Sequence, residues 1–320
     1  MTGLAATAAP VDSILDTIGA TPLLRLARLP PPGTAAIWAK LESQNPAGSV
    51  KDRAALAMVE AAERAGLLTP HAAPPHVVVE PTSGNTGISL AMVCAAKGYR
   101  LVLTMPDNMS LERRALLAIY GAELVLTPAA ALMEGAIARA RAIAAETPNA
   151  FLPQQFENPA NPEAHRTGTG PEILEALEAS EVVPSALVVG VGTGGTLTGV
   201  GRAMRERFPK LSIVAVEPKV CAVLSGYPAA MTRIQGLGAG FVPSILDRSL
   251  IDRVLAVSDE DAWATRQALA RSEGVLAGIS AGANLWAALE IARELGPKAN
   301  VVTVIPDTGE RYFSLEAELG

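Results

Sequence analysis

His76-Val77-Val78-Val79-Glu80-Pro81-Thr82-Ser83-Gly84-Asn85-Thr86-Gly87 reads as a short β-branched strand, a turn, and the opening of a helix. The valines suit a strand. The turn feeds an apolar helical run from about Thr86 to Lys97. The same order then repeats: a strand at Arg100–Met105, a helix through Leu111–Tyr120, a strand at Glu123–Leu126 and an Ala-rich helix over about Ala131–Glu146. Alternating strand and helix predict a parallel sheet with crossover helices. Phe151–Asn161, with two Asn-Pro steps, breaks the alternation and is the candidate hinge. Beyond it the spacing predicts helix Gly170–Leu177, strand Ala186–Val189, helix Leu197–Phe208 and strand Ser212–Glu217. A Gly/Pro-rich stretch, Pro218–Pro243, precedes strand Arg253–Val257, helices Asp259–Glu273 and Ala281–Leu295, and strand Val301–Ile305. Upstream lie a loose arm, a short amphipathic helix around Val11–Ile18, and two strands, Thr21–Leu26 and Ala36–Leu41, joined at Pro30–Gly33. The expectation is α/β: two domains, each a mostly parallel twisted sheet flanked by helices, with a cleft between them.

Composition narrows the function. The chain has 320 residues, 49% hydrophobic, with 28 Gly and 24 Pro, which suits a compact α/β enzyme rich in tight turns. A formal net charge of -6 favours neither nucleic acid nor an anionic membrane. Two distant cysteines, Cys94 and Cys221, and three histidines lack metal-ligand spacing, so no metal site is expected. No signal-peptide pattern or membrane-length run is present, and a cytoplasmic location is expected.

Four stretches carry chemistry. Asn45-Pro46-Ala47-Gly48-Ser49-Val50-Lys51-Asp52-Arg53 breaks the chain and opens a helical run from Asp52 to Leu68, with Ser49 placed to cap it. Lys51 then sits in the first turn, where the helix dipole disfavours an ammonium, as burial would; a neutral lysine is a nucleophile for carbonyl carbons. Pro81–Gly87 follows a strand and opens a helix. Its N–H groups and the hydroxyls of Thr82, Ser83 and Thr86 make an anion site, and Asn85 adds an amide. Gly190-Val191-Gly192-Thr193-Gly194-Gly195-Thr196 is a second loop of this kind and reads as a phosphate cradle. Its glycines also satisfy the dinucleotide fingerprint, with Glu217 at a following strand end, so an NAD-dependent oxidoreductase is the distant alternative. A Walker loop is excluded, because no Gly-Lys-Ser/Thr follows. Gly278-Ile279-Ser280-Ala281-Gly282 leads into a helix. Taken alone Ser280 reads as an N-cap; in a site, its hydroxyl can meet a ring nitrogen. Gln155, in Gln154–Pro159, adds an amide at the hinge. A carbonyl-seeking lysine, a cradle for one phosphate, a hydroxyl for a ring nitrogen and a carboxylate site together predict pyridoxal phosphate and an amino-acid substrate.

On these motifs the chain resembles the cysteine synthase (O-acetylserine sulfhydrylase) family of fold-type II pyridoxal phosphate enzymes, whose fold is tryptophan synthase β-like. The resemblance runs from Ile18–Leu23 to Pro306-Asp307-Thr308-Gly309-Glu310-Arg311-Tyr312. It includes Met105–Arg114, Gln154–Pro162 and Ile234-Gln235-Gly236-Leu237-Gly238-Ala239-Gly240-Phe241. It implies that Lys51 holds the cofactor and serves as acid and base, and that Asn85 meets the ring hydroxyl. Gly192, Thr193, Gly194, Gly195 and Thr196 would hold the phosphate and Ser280 the ring nitrogen. Thr82, Ser83, Thr86 and Gln155 would hold the substrate carboxylate, with Gly236 lining the pocket. It implies a smaller, mobile domain (1–22 plus 45–158) and a larger one (23–44 plus 159–320). The implied reaction is β-replacement of O-acetyl-L-serine by sulfide, through an aminoacrylate intermediate, giving L-cysteine. Preference for O-phosphoserine, or cystathionine β-synthase-like activity, are the alternatives. A homodimer is implied, as is docking of a serine acetyltransferase C-terminal tail. Departures lie at Ala129–Met133, which lacks a usual glycine, at His71–Pro75, and at Cys221–Arg233.

Overall fold

The computed structural model describes residues 10–82, 84–107 and 111–314. The first element among the described residues is a single 3-10 turn, Ile14–Thr17, closed by a capping box between Ser13 and Asp16, where a longer helix was expected. Strands β1 (Leu23–Arg25) and β2 (Ala36–Leu41) pair antiparallel. Helix α1 spans Lys51–Arg64. Then come β3 (Val77–Pro81), α2 (Asn85–Lys97), β4 (Arg100–Pro106), α3 (Leu111–Ile119), β5 (Glu123–Thr127), α4 (Leu132–Glu146) and β6 (Ala150–Phe151). Past the Asn-Pro break, α5 (Ala160–Ala164) runs through a π-helical turn, His165–Thr169, into α6 (Gly170–Ala179). The rest is β7 (Ala186–Gly190), α7 (Gly195–Arg207), β8 (Ser212–Pro218), β9 (Arg253–Val257), α8 (Asp259–Glu273), α9 (Ile279–Leu295) and β10 (Asn300–Ile305).

Among the described residues the strands form two sheets. One has the order β1-β2-β10-β7-β8-β9, parallel except at β1; the other has the order β5-β4-β3-β6, parallel throughout. Every residue of β3 is buried, as a central parallel strand under helices requires. The alternation read from the sequence therefore holds, with most boundaries within two residues.

Three local departures have identifiable causes. Helix α1 stops at Arg64, not Leu68, because Gly66 adopts φ +73°, and the Leu67 N–H turns back to the Ala62 carbonyl at 2.9 Å. The helix starts one residue earlier than expected. Val50 is its N-cap, and the Ser49 hydroxyl instead accepts from the Lys51 N–H at 3.2 Å. Similarly, α9 starts after Gly278, so Ser280 is the second helical residue and not the cap.

The ends of β3, β7 and β10 all open toward one cleft. Ligands of open α/β sheets gather at the carboxyl ends of strands. A connector after β10 stitches the two sides together. The Pro306 carbonyl accepts from the Val50 N–H at 2.8 Å, the Gly48 carbonyl from Thr308 N–H at 3.3 Å, and the Asp307 carbonyl from Gly278 N–H at 3.2 Å. Buried Arg53 anchors α1 on the same side, pairing with Glu42 at 2.7 Å and with Glu172 at 2.7 Å.

Candidate active site

Lys51 reaches the cleft from the first turn of α1. The cavity measures about 660 Å³. Its walls include Lys51, Thr82, Asn85, Thr86 and Gln155 on one side and Gly192–Gly194, Thr196, Gly236 and Ser280 on the other. Lys51 lines this cavity, and its pKa is lowered chiefly by burial, with the Asp307 carboxylate pulling the other way. The ammonium is thus disfavoured relative to that of a lysine in water.

The turn between β3 and α2 supplies the next groups. Thr82 and Thr86 are buried, and the Thr82 hydroxyl accepts from the Gly84 N–H at 3.2 Å. Thr86 donates to the Gln155 amide oxygen at 2.6 Å, while the Gln155 amide nitrogen reaches the Pro81 carbonyl at 3.4 Å. Gln155 therefore sits beside the turn despite its distance in sequence. Asn85 is clamped: its Nδ2 donates to Asp307 at 2.7 Å, and its Oδ1 accepts from Arg311 at 2.7 Å. The clamp orients the amide unambiguously and leaves one Nδ2 hydrogen unspent. Asp307 also accepts from the Tyr312 hydroxyl, and Arg311 also donates to the Ala47 carbonyl.

Across the cleft, β7 ends in the glycine loop. A Cβ at Gly190 would stand 2.7 Å from Asn284 Oδ1, which accepts the Gly190 N–H at 2.7 Å. A Cβ at Gly192 would collide with the Gly236 carbonyl, and one at Gly195 with the Asn161 side chain. Gly194 lies at φ +84° and turns the chain into α7. The Thr193 hydroxyl accepts from Asn161 Nδ2 at 3.2 Å, and Asn161 also donates to the Gln155 carbonyl at 2.8 Å. Behind the loop, Thr196 meets His165 Nε2 at 3.3 Å. Burial, then the charges of Arg53 and Lys51, hold the His165 pKa well below the usual imidazole value, so the ring is neutral. Ser280 faces the cleft from the first turn of α9 with no carboxylate beside it among the cavity walls.

The structure thus brings together Lys51, Thr82, Asn85, Thr86, Gln155, Gly192, Thr193, Gly194, Thr196, Gly236 and Ser280. Gly195 lies just behind the wall as the first residue of α7. Ser83 lies outside the described residues. The supporting residues Asn161, His165, Asn284, Asp307 and Arg311 were not assigned roles from sequence. Only the Asn-Pro repeat and the Pro306–Tyr312 motif hinted at some of them. Glu217, the acid a dinucleotide site would need, is spent elsewhere: it accepts from Leu224 N–H at 2.8 Å and from Ser225 N–H at 3.1 Å, and it is absent from the cavity walls. Cys94 and Cys221 are buried and unbonded to each other. No cluster of metal-ligating side chains occurs among the described residues.

Residues 14–307 match the family described as pyridoxal-phosphate dependent enzyme. A cysteine synthase of Staphylococcus aureus is 51% identical over 305 residues, which are 95% of this chain and 96% of that protein. The crystal structure of O-ureido-L-serine synthase superposes with a TM-score of 0.90 at 46% identity, covering 96% of this chain and 94% of that one. That of the O-acetylserine dependent cystathionine β-synthase of Helicobacter pylori gives 0.88 at 34% identity, covering 96% and 98%. The residues present fit the cofactor. Gly192, Thr193, Gly194 and Thr196 line the cavity where the loop enters the N-terminus of α7, a place where a phosphate is favoured. A lysine of depressed pKa faces it across the same cavity. Fold, cavity and relatives agree, and the chain belongs to the pyridoxal-phosphate dependent enzyme family.

Proposed function

We propose that the protein is a cysteine synthase that exchanges the acetoxy group of O-acetyl-L-serine for sulfide. The observation that carries the reading is the placement of Lys51. A lysine weakened as a cation by burial shares one cavity with a phosphate-type loop and a carboxylate-type turn. Gly192, Thr193, Gly194, Gly195 and Thr196 hold the cofactor phosphate. Ser280 bonds its ring nitrogen and Asn85 its ring hydroxyl. The N–H groups and hydroxyls of Thr82, Ser83 and Thr86, with the Gln155 amide, hold the substrate carboxylate. Gly236 leaves space at the substrate.

When bound, the cofactor withdraws the electrons left at the substrate Cα. Lys51 takes the α-proton on Nζ as the C–O bond to acetate breaks. Hydrosulfide adds to the β-carbon, and Lys51 returns the proton to Cα, giving cysteine and acetate. Ser280, a neutral hydroxyl, does not stabilise a charged ring nitrogen as a carboxylate would, which tempers electron withdrawal and suits elimination at Cβ. The Thr82–Thr86 turn and Gln155 keep the amino acid in place between the two half-reactions.

The smaller part of the chain (1–22 plus 45–158) closes on the larger (23–44 plus 159–320) when substrate binds. The protein works as a cytoplasmic homodimer. A serine acetyltransferase tail has an apolar rim to meet at Met231, which lines the cleft and is 78% exposed. No helix among the described residues is long and apolar enough to cross a membrane. O-acetylserine added alone to the holoenzyme should shift its visible absorbance, and sulfide should restore the band and release cysteine. A shift with serine or O-phosphoserine but none with O-acetylserine would overturn the substrate and leave the cofactor assignment standing.

A further inference from the structure

Glu80 is fully buried in β3, and no ion pair reaches it among the described residues. Its two oxygens are nevertheless both used. Oε2 accepts from the Gln154 N–H at 2.9 Å and Oε1 from the Gln155 N–H at 3.0 Å. Gln154 is one of the few non-glycine residues at positive φ, +55°, a conformation that side chains resist. The Gln154 carbonyl accepts from Glu157 and Asn158, both at 2.9 Å, closing the turn on its other side. The carboxylate therefore holds two successive N–H groups convergent through a strained reversal, and that reversal aims Gln155 into the cleft.

Glu80 is also the residue before Pro81 and Thr82. The Pro81 carbonyl accepts from the Gln155 amide, and Thr86 donates to that same amide's oxygen. One strand end thus carries the Thr82–Thr86 turn and, through the carboxylate, sets the position of Gln155. Two converging N–H donors need two acceptors. An amide would offer one acceptor and point an N–H₂ group at the other donor.

We propose that Glu80 is a positioning residue for substrate recognition, fixing Gln155 against the Thr82–Thr86 turn so that both meet one carboxylate of an α-amino acid. This rests on the assignment of Gln155 as a carboxylate ligand. Lys51, Ser280 and the glycine loop stand on other elements, so the amino-acid half-reaction should suffer alone. In the Glu80→Gln holoenzyme, assayed at about pH 8 where the Glu80 carboxyl has lost its proton, kcat/KM for O-acetylserine should fall about tenfold, the loss of roughly one charge-assisted hydrogen bond. The KM for sulfide, the cofactor content and the saturated kcat should stay within about twofold on that same account.

Gln155→Ala, measured alongside, separates the two claims. Loss of O-acetylserine kcat/KM in both variants supports the proposal. Loss in Gln155→Ala with a wild-type value in Glu80→Gln overturns the role of Glu80 and keeps that of Gln155. A wild-type value in Gln155→Ala overturns the carboxylate assignment beneath it. Equal losses toward O-acetylserine and sulfide in Glu80→Gln would mark general damage and overturn the positioning role. Should Glu80→Gln not fold, Glu80→Asp, with both acceptors on a shorter arm, carries the same test and the same outcomes.

Discussion

Gly194→Ala tests whether the glycine loop is shaped by backbone need. Gly194 lies at φ +84°, ψ -11°, and caps α7. Placing an L side chain in that region costs roughly 1 kcal/mol. The new Cβ would stand 2.8 Å from Leu246 Cβ and 3.2 Å from Leu246 Cα. These atoms are fixed to backbone and cannot swing away, so overpacking adds about 2 kcal/mol. The sum, about 3 kcal/mol, falls on a loop that borders the cavity. If the loop relieves it by moving, cofactor affinity drops about 100-fold, since about 1.4 kcal/mol is tenfold. Titrating apoprotein with pyridoxal phosphate by visible absorbance measures this, and a thermal melt reports any share borne by the fold. Gly201→Ala is the control. It lies inside α7, and its Cβ would meet only the ends of the Ile213 and Leu250 side chains, at 3.3 and 3.5 Å. Alanine there should be neutral or stabilise the helix by roughly 0.5–1 kcal/mol. A Gly194→Ala protein with wild-type affinity and melting temperature would refute the reasoning.

Two further outcomes follow from the same geometry. Ser280→Ala should weaken cofactor binding by on the order of 1 kcal/mol, one neutral hydrogen bond, read in the same titration; Ser280→Asp should cost far more activity, and wild-type turnover there would count against the ring-nitrogen contact. Burial raises Glu80 to about 7 and Asp52 to about 6, so both hold a proton more tightly folded than unfolded. Their stabilising contribution is full below about pH 4 and is lost as pH rises through about 6 and about 7. Replacing Glu80 by Gln should therefore flatten the fall in unfolding free energy between pH 5 and 8 by on the order of 2–3 kcal/mol. An unchanged slope in denaturant titrations at the two pH values would contradict it.

The strands and helices were readable because their patterns are local. The valine run of β3 is buried throughout, and helices α2 and α8 end at Lys97 and Glu273, where the sequence placed their ends. The loops were readable because glycine and hydroxyl residues cluster at strand-to-helix turns. What escaped depends on contacts distant in sequence. Nothing near Asn85 announces that Asp307 and Arg311 will clamp it, and nothing near Thr193 announces Asn161. Glu80 read as the end of a strand, since its use depends on a turn at Gln154 and Gln155. Ser49 was expected to cap α1, but the cap is Val50, and the Ser49 hydroxyl takes the Lys51 N–H one position further in. Glu217 showed the opposite hazard: it stands at the spacing of a ribose-binding acid, yet its oxygens serve the turn at Leu224 and Ser225.

The central claim is that Lys51 is the one lysine joined to the cofactor. Borohydride reduction of the holoenzyme fixes that bond, and peptide mass mapping then locates it. The account predicts the cofactor mass on the peptide containing Lys51, and on no other, with no label in Lys51→Ala. Label on Lys40, which is buried and engaged by Glu172 at 2.7 Å, or label spread over several lysines, would contradict it.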